Sequence, residues 1–359
     1  MIEKAKNLVF PFMCLWLFGL CLNSFMGYET PSVVYKITGV FIVISFLIYV
    51  FKMKLFNYVG QRIVESFITL FVISTSVFLL LRLLPGGPFD QDKMLPPEVM
   101  ANIARKYNLD APLYVQYVDY LKGLLTFDLG ESYKYTGRPI MELLIEAMPA
   151  SIELGIYSLI LAFIIGIPAG VWAAANHNKL TDRLVMTAAI SGVALPSYVV
   201  APVLILIFAY KLNWLPAAMW TDTEYYIMPV LVLGVRPAAT IARLTRASVL
   251  EVIGSDYIRT AKSKGLSESV VLFKHVLRNS LIPVLTYSGP LVAGLLSGSF
   301  IVEIIFAIPG MAKHFVQSVT NRDYPLILGV TLIYSVVLIL ANLVVDILYS
   351  YFDPRIKLS

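Results

Sequence analysis

Apolar runs of about 20 residues recur along this chain, each long enough to cross a hydrocarbon core of roughly 30 Å as a helix. Inside such a core every backbone N–H and C=O needs an internal partner, which a helix supplies within one segment. Eight candidate spans follow: Leu8–Met26, Val33–Phe51, Arg62–Leu84, Pro149–Ala175, Leu184–Tyr210, Ile227–Leu250, Leu281–Ile305 and Leu326–Tyr351. Composition agrees, since 58% of the 359 residues are hydrophobic and 14% charged, against about 25% charged in an ordinary soluble domain. A polytopic, all-α membrane protein is expected. The 21 Tyr, 20 Phe and 4 Trp supply interfacial anchors.

The placement of Lys and Arg sets the orientation. Lys4 and Lys6 precede the first span, Lys52, Lys54 and Arg62 follow the second, and Lys179 and Arg183 follow the fourth. A basic insertion follows the sixth span, and Arg355 and Lys357 come after the eighth. Alternating spans put all of these on one side, so both termini are expected in the cytoplasm. The segment Pro85–Met148, with nine acidic and six basic residues, then lies outside. Long loops cross largely regardless of charge, so its basic residues do not oppose this orientation. Within it EVMANIARKYNL reads as a short helix, and APLYVQYVDYLKGLL repeats apolar residues at helical spacing, as a helix lying along the membrane surface would. The net charge of +5 reads as loop bias rather than a nucleic-acid footprint.

The first span has a rival reading as a cleaved signal peptide, because a basic start and an apolar run describe both. The residues after it, LNSFMGYET, lack a small-x-small cleavage pattern, so a retained span is expected. Charge does not separate the two readings, since removing this span leaves the other orientations unchanged. Cys14 and Cys21 lie seven apart on one face of the same run and read as buried structural thiols.

The basic insertion, RTAKSKGLSESVVLFKHVLRNSLIP from Arg259 to Pro283, carries five Lys or Arg between two apolar stretches. Asp256 to Lys264 reads as one short helix, with Asp256 near its N-terminus and Lys262 and Lys264 in its last turn, each sign complementing the helix dipole. Gly265 stands where a left-handed residue ends such a helix without a Cβ penalty. Ser267 caps a second helix, with Leu266 and Val271 placed for a hydrophobic staple. An α-helical period puts Val270, Phe273 and Leu277 on one face. Two short helices meeting at a glycine corner are therefore expected in the cytoplasm. An amphipathic linker attracted to anionic lipid would account for the charge alone. It does not require the glycine corner, which favours a docking element.

DYIRTAKSKGLSESVVLFKHVLRNSLIP resembles the cytoplasmic coupling loop of ATP-binding-cassette importer permeases of the dipeptide/oligopeptide branch. The general pattern is Glu-Ala-Ala, three residues, Gly, nine residues, then Ile-x-Leu-Pro. Arg259-Thr260-Ala261 stands for the first triplet, Gly265 is kept, and His275-Val276-Leu277-Arg278 stands for the last block. The resemblance spans about Phe56 to Arg355. It includes RLLPGGP at Arg82–Pro88, FDLGES at Phe127–Ser132, ALPSY at Ala194–Tyr198, VEIIFAIPGM at Val302–Met311, RDYP at Arg322–Pro325 and NLVVDILYSYFDPR at Asn342–Arg355. Ala312 stands where the family usually has a glycine. The resemblance implies a type I importer core of six helices over residues 56–359, preceded by an extension of two spans in residues 1–55. It implies an ATPase-coupling set of Asp256, Arg259, Thr260, Ala261, Lys264, Gly265, Leu266, His275 and Arg278. The implied partners are a second, homologous permease, two ATPase subunits, an extracytoplasmic solute-binding protein and membrane lipid. Peptides are the implied solute. Nickel, glutathione and other small solutes travel through similar permeases.

Gly166 and Gly170 flank Pro168 in the fourth span, and Gly294 and Gly298 share the seventh. Small-xxx-small spacing lets helices approach closely in lipid, either for intrachain packing or along a solute path. Prolines 168, 196, 202, 229, 237 and 290 kink their spans. Arg243 and Arg246 are expected to snorkel to the cytoplasmic interface, with Arg236 deeper in the same helix. Glu153, Glu303 and Asp346 fall near span ends, where a proton-driven carrier would place a carboxylate at mid-span.

There is no G-x-x-x-x-G-K-[ST] loop and no G-x-S-x-G elbow, and His177, His275 and His314 lack metal-ligand spacing. An enzyme is not expected, nor is a cofactor. A self-sufficient secondary carrier is the alternative, and it should show paired repeats and mid-span ion ligands.

Overall fold

The computed structural model describes residues 56–84, 88–89, 98, 102, 105–296 and 299–352. Among them regular structure is helical, with one isolated bridge between Glu131 and Pro139. Five helices are long and apolar enough to cross a membrane, and a bent pair makes up to six. The expected spans Leu8–Met26 and Val33–Phe51, with Cys14 and Cys21, lie outside the described residues.

Helix α1 (Phe56–Leu83) leans on the last helix and leaves most of its apolar surface outward, only 11% of its apolar stretch being buried. That suits a lipid-facing position. Helix α2 (Leu113–Leu125) sets Tyr117 and Tyr120 against Phe78 of α1, at ring separations of 5.2 and 5.6 Å, and Tyr117 shares a 2.7 Å hydrogen bond with Thr75. Its other face exposes Leu113, Tyr114 and Leu125.

Helix α3 (Ile140–Ala175) starts nine residues before the expected Pro149. Pro149 lies inside the helix, where neighbouring structure tolerates the lost backbone bond. Its 36 residues span about 54 Å at 1.5 Å each, well beyond the hydrocarbon thickness, so one end projects. The expected Leu184–Tyr210 span is not one helix. It consists of α4 (Leu180–Ala194) and α5 (Ser197–Leu204), the latter running into a π-helical stretch, Ile205–Lys211, with a bend of 104°. The break falls at Leu195, held extended (φ −82°, ψ 122°) as a residue before proline prefers, and at Pro196 (φ −68°, ψ 142°).

Helix α6 (Thr223–Ile253) forms its most extensive packing with α3, and 56% of its apolar stretch is buried. The chain then turns through α7 (Asp256–Ser263), α8 (Glu268–Val270), a π-helical stretch at Val271–Val276 and α9 (Leu277–Ser280). Helices α10 (Ile282–Leu296) and α13 (Tyr324–Phe352) pack together, joined through the short α11 (Phe300–Ile305) and α12 (Met311–Thr320).

Candidate functional site

The expected glycine corner is present in the geometry. Lys264 closes α7 through Lys264 N–H to the Thr260 carbonyl at 3.1 Å, and Gly265 N–H reaches the Lys262 carbonyl at 2.9 Å. Gly265 has φ +77°, left-handed backbone that costs a Cβ-bearing residue strain, although a Cβ there would meet no atom within 4 Å. Ser267 sits at the N-cap of α8 with extended backbone, but its side chain makes no capping hydrogen bond. Leu266 is exposed while Val271 is buried, so the expected staple is not closed.

The face turned inward differs from the α-helical expectation. Val271 and Val276 are buried, whereas Val270 and Phe273 are exposed, Phe273 by 70%. The reason is the π-helical stretch between them: its wider turn brings residues five apart onto one face, where the expectation assumed three and four. Val271 and Val276 join Ile258 and Ala261 of α7 in one apolar cluster with Val249 of α6 and Ala174 of α3. Asn279 donates a 2.8 Å hydrogen bond to the Tyr257 hydroxyl and ties the two arms together. Among the expected coupling residues, Ala261 is buried in this anchor. Asp256, Arg259, Thr260, Lys264, Gly265, Leu266 and Arg278 face outward, with His275 intermediate. Tyr257, Val270 and Phe273 add exposed apolar surface outside the expected coupling set.

From this anchor rigid contacts run up the helices. A Cβ on Gly166 would lie 2.7 Å from the Ala238 carbonyl oxygen, and one on Gly170 would lie 2.5 Å from that of Ala242. Helices α3 and α6 therefore touch backbone to backbone, as small residues in lipid permit. Gly294 differs, because a Cβ there would meet nothing within 4 Å; Gly298 lies outside the described residues. Close approach on this side uses Gly155 instead, whose Cβ would lie 2.5 Å from the Leu295 carbonyl oxygen.

Arg246 does not snorkel. Its guanidinium meets Asp182, at the start of α4, through two hydrogen bonds of 2.6 and 2.7 Å, and Asp182 is almost fully buried. The backbone N–H of Asn178 also reaches Asp182 at 2.9 Å, and His177 Nδ1 lies 3.2 Å from Arg246. A planar fork on a carboxylate fixes both partners, so α4 and α6 are pinned beside the corner. The pair escaped sequence reading because Asp182 and Arg246 are 64 residues apart, and each alone reads as an interfacial charge.

Far from the corner, three of the motifs converge. Buried Asp323 of RDYP accepts hydrogen bonds from the Ser132 hydroxyl at the end of FDLGES, and from the backbone N–H groups of Tyr133 and Leu326 at 3.2 and 3.3 Å. Arg82 of RLLPGGP lies 5.4 Å from the ring centroid of Tyr324, and also over Phe78. Burial pushes the Tyr133 hydroxyl up to about 12, with the Arg82 charge pulling the other way. Burial also raises the Tyr120 hydroxyl, whose ring stacks on Phe78.

The IPG motif has a latch of its own. Buried Glu303 accepts 2.9 Å hydrogen bonds from the Ser151 hydroxyl and the Ala312 N–H, while Met311 N–H donates to Ser151 Oγ at 2.9 Å. A Cβ on Gly310 would collide with Glu303 and Ser151, so the glycine makes room for the latch. Ala312 fits where the family usually has glycine because its backbone N–H is what the latch uses. Glu153 accepts from the indole N–H of Trp220 at 3.2 Å. His314 packs beside Tyr135, and burial keeps its imidazole below its ordinary value.

These helices define a class: the transmembrane subunit of a type I ATP-binding-cassette importer. A chain of the inward-facing MetNI methionine ABC transporter shares the fold, with a TM-score of 0.52 and 16% identity over 61% of this chain and 100% of that one. The chain belongs to the binding-protein-dependent transport system inner membrane component family, whose model matches residues 166–358, with the family's N-terminal model matching residues 55–154. It is 45% identical over 303 residues to the oligopeptide transport system permease protein OppB of Haemophilus influenzae, covering 84% of this chain and 99% of that protein. It is equally similar, over 302 residues, to the dipeptide transport system permease protein DppB of Bacillus subtilis, covering 84% of this chain and 98% of the relative. It is a multi-pass membrane protein.

Proposed function

We propose that this chain is the permease subunit of an importer that carries di- or oligopeptides across the cytoplasmic membrane, with ATP hydrolysed on separate subunits. The relatives named for oligopeptide and dipeptide transport support the solute class. The observation that carries the mechanism is the Gly265 corner: an exposed bihelical elbow whose inner face is bolted to the ends of α3 and α6.

Two ATPase subunits, a second homologous permease and an extracytoplasmic solute-binding protein complete the machine. Both termini and the 255–280 loop face the cytoplasm, residues 85–148 face outward, and residues 1–55 form an extension of two further spans. When the ATPases close on ATP, they push on the exposed residues of α7 and α8. Ile258, Ala261, Val271 and Val276 pass that push to Val249 and Ala174, because close-packed interiors transmit displacement rather than absorb it. The glycine contacts and the Asp182–Arg246 fork make α3, α4 and α6 move together. This assembly swings between outward- and inward-facing states.

Gly265→Val tests the coupling. Open space surrounds the position, so the variant should insert and express normally while the strained corner, at roughly 1–3 kcal/mol, distorts. ATPase co-purification should weaken and peptide uptake should vanish. Charge reversal at Lys262, Lys264 and Lys274 should have the smaller effect. Normal coupling by Gly265→Val beside failure of the charge reversal would point to lipid attachment instead.

A further inference from the structure

Helix α6 is the most enclosed of the candidate spans, yet one strip of it stays open. Arg236, Thr240, Arg243 and Ala247 follow one another at intervals of four, three and four residues and therefore share one face. Arg236 and Arg243 are exposed along it. Arg236 lies about 20 Å from the N-terminal end of α6 at 1.5 Å per residue, so it sits at mid-span, and Arg243 lies about 10 Å further on. Arg246, just off this strip, takes the Asp182 carboxylate. Neither Arg236 nor Arg243 has an ion pair or side-chain hydrogen bond among the described residues.

Cations at this depth are expensive against lipid, and they face protein, water or a passing ligand. A cavity of about 340 Å³ opens on the strip, lined by Met186, Thr240, Arg243, Leu244, Arg246 and Ala247. Its volume is in the range of small-molecule sites. Arg243 lines this cavity, Arg236 follows it along the same exposed face outside the lining, and a guanidinium's planar fork matches a carboxylate.

We propose that Arg236 and Arg243 line the solute path and hold the α-carboxylate of the peptide in turn as it descends. This rests on the peptide-importer reading and adds to it the end of the peptide that the permease itself recognises. No bond is made or broken; one carboxylate is passed between two cations, with Thr240 between them.

The test uses the complete transporter with both permeases, both ATPases and the binding protein, reconstituted in phosphatidylcholine vesicles. Uptake of tetraalanine and of its C-terminal amide is measured for wild type, the double variant R236Q/R243Q and the charge-keeping R236K/R243K. The binding protein is the same throughout, so any change in preference belongs to the permease. Wild type should favour the free acid. The Gln variant should lower the kcat/KM ratio of acid to amide by about tenfold or more, as loss of a charge-assisted hydrogen bond does. The Lys variant should keep most of the preference. An unchanged ratio with amide uptake intact overturns the proposal, as does equal loss for both peptides, which would mark a structural role. An effect seen only after anionic lipid is added to the vesicles overturns it in favour of a headgroup site. If wild type takes up neither peptide, the importer reading falls and this site falls with it.

Discussion

Replacing Gly170 by Ala tests whether α3 and α6 are held by backbone contact. The added Cβ would stand 2.5 Å from the Ala242 carbonyl oxygen, 2.6 Å from Thr245 Cβ and 3.1 Å from the Arg246 backbone nitrogen. Ordinary contact begins near 3.4 Å, so the helices must part by roughly 1 Å, and none of the three atoms is the end of a flexible side chain. Overpacking of this kind costs roughly 1–3 kcal/mol. In water Ala would return about 1 kcal/mol of helix propensity, but helices separated in a bilayer stay helical and the return shrinks. A net loss of about 1–2 kcal/mol is expected. Gly294→Ala is the matched control, since its Cβ would meet nothing within 4 Å and stability should stay level or rise slightly. The assay is unfolding by dodecyl sulfate in mixed micelles, followed by circular dichroism, for wild type and both variants. Gly170→Ala as stable as wild type, beside a destabilised Gly294→Ala, would refute the argument. Because Gly170 packs against the backbone of Arg246, which holds the fork to Asp182, peptide uptake by Gly170→Ala should also fall.

Asp182→Ala should destabilise more than Asp182→Ala combined with Arg246→Met, because the single change strands the partly buried Arg246 guanidinium, which the double change removes; the same micelle titration reads both. Ser132→Ala and Asp323→Ala should be strongly non-additive in a double-mutant cycle, with a coupling of about 1.5–3 kcal/mol for a hydrogen bond to a charged group, and simple additivity would dissolve the link between the two motifs. Cysteines placed at exposed Glu131 and Lys264 report orientation: an impermeant maleimide on intact cells should label the first and not the second, and the reverse pattern would invert the proposed topology. The purified chain alone should hydrolyse no ATP, with activity appearing when the ATPase subunits are added; hydrolysis by the isolated chain would contradict the permease reading.

Much of the architecture was legible in the sequence because it rests on local properties. Apolar runs mark helices in lipid whatever their neighbours are, and Pro196 marks a break because its ring restricts the preceding residue. Gly265 announces a left-handed corner through the missing Cβ alone. Motif order was enough to place the chain in its family. What local rules left open was decided by contact. The α-helical period put Phe273 inward; the π-helical stretch, stabilised by packing on Val249 and Ala174, turned it out. Gly166 and Gly294 look alike as small residues, yet only the first has a helix backbone against it, since what fills the space depends on how helices cross. Arg246 read as a snorkelling cation until the fold brought Asp182 within 2.6 Å from 64 residues away. Ser132 and Asp323, 191 residues apart, belong to two motifs that the sequence displays separately and that only tertiary structure joins. The division has one physical cause: backbone preferences and hydrophobic transfer act residue by residue, whereas buried charges and polar groups are satisfied only by partners that folding delivers.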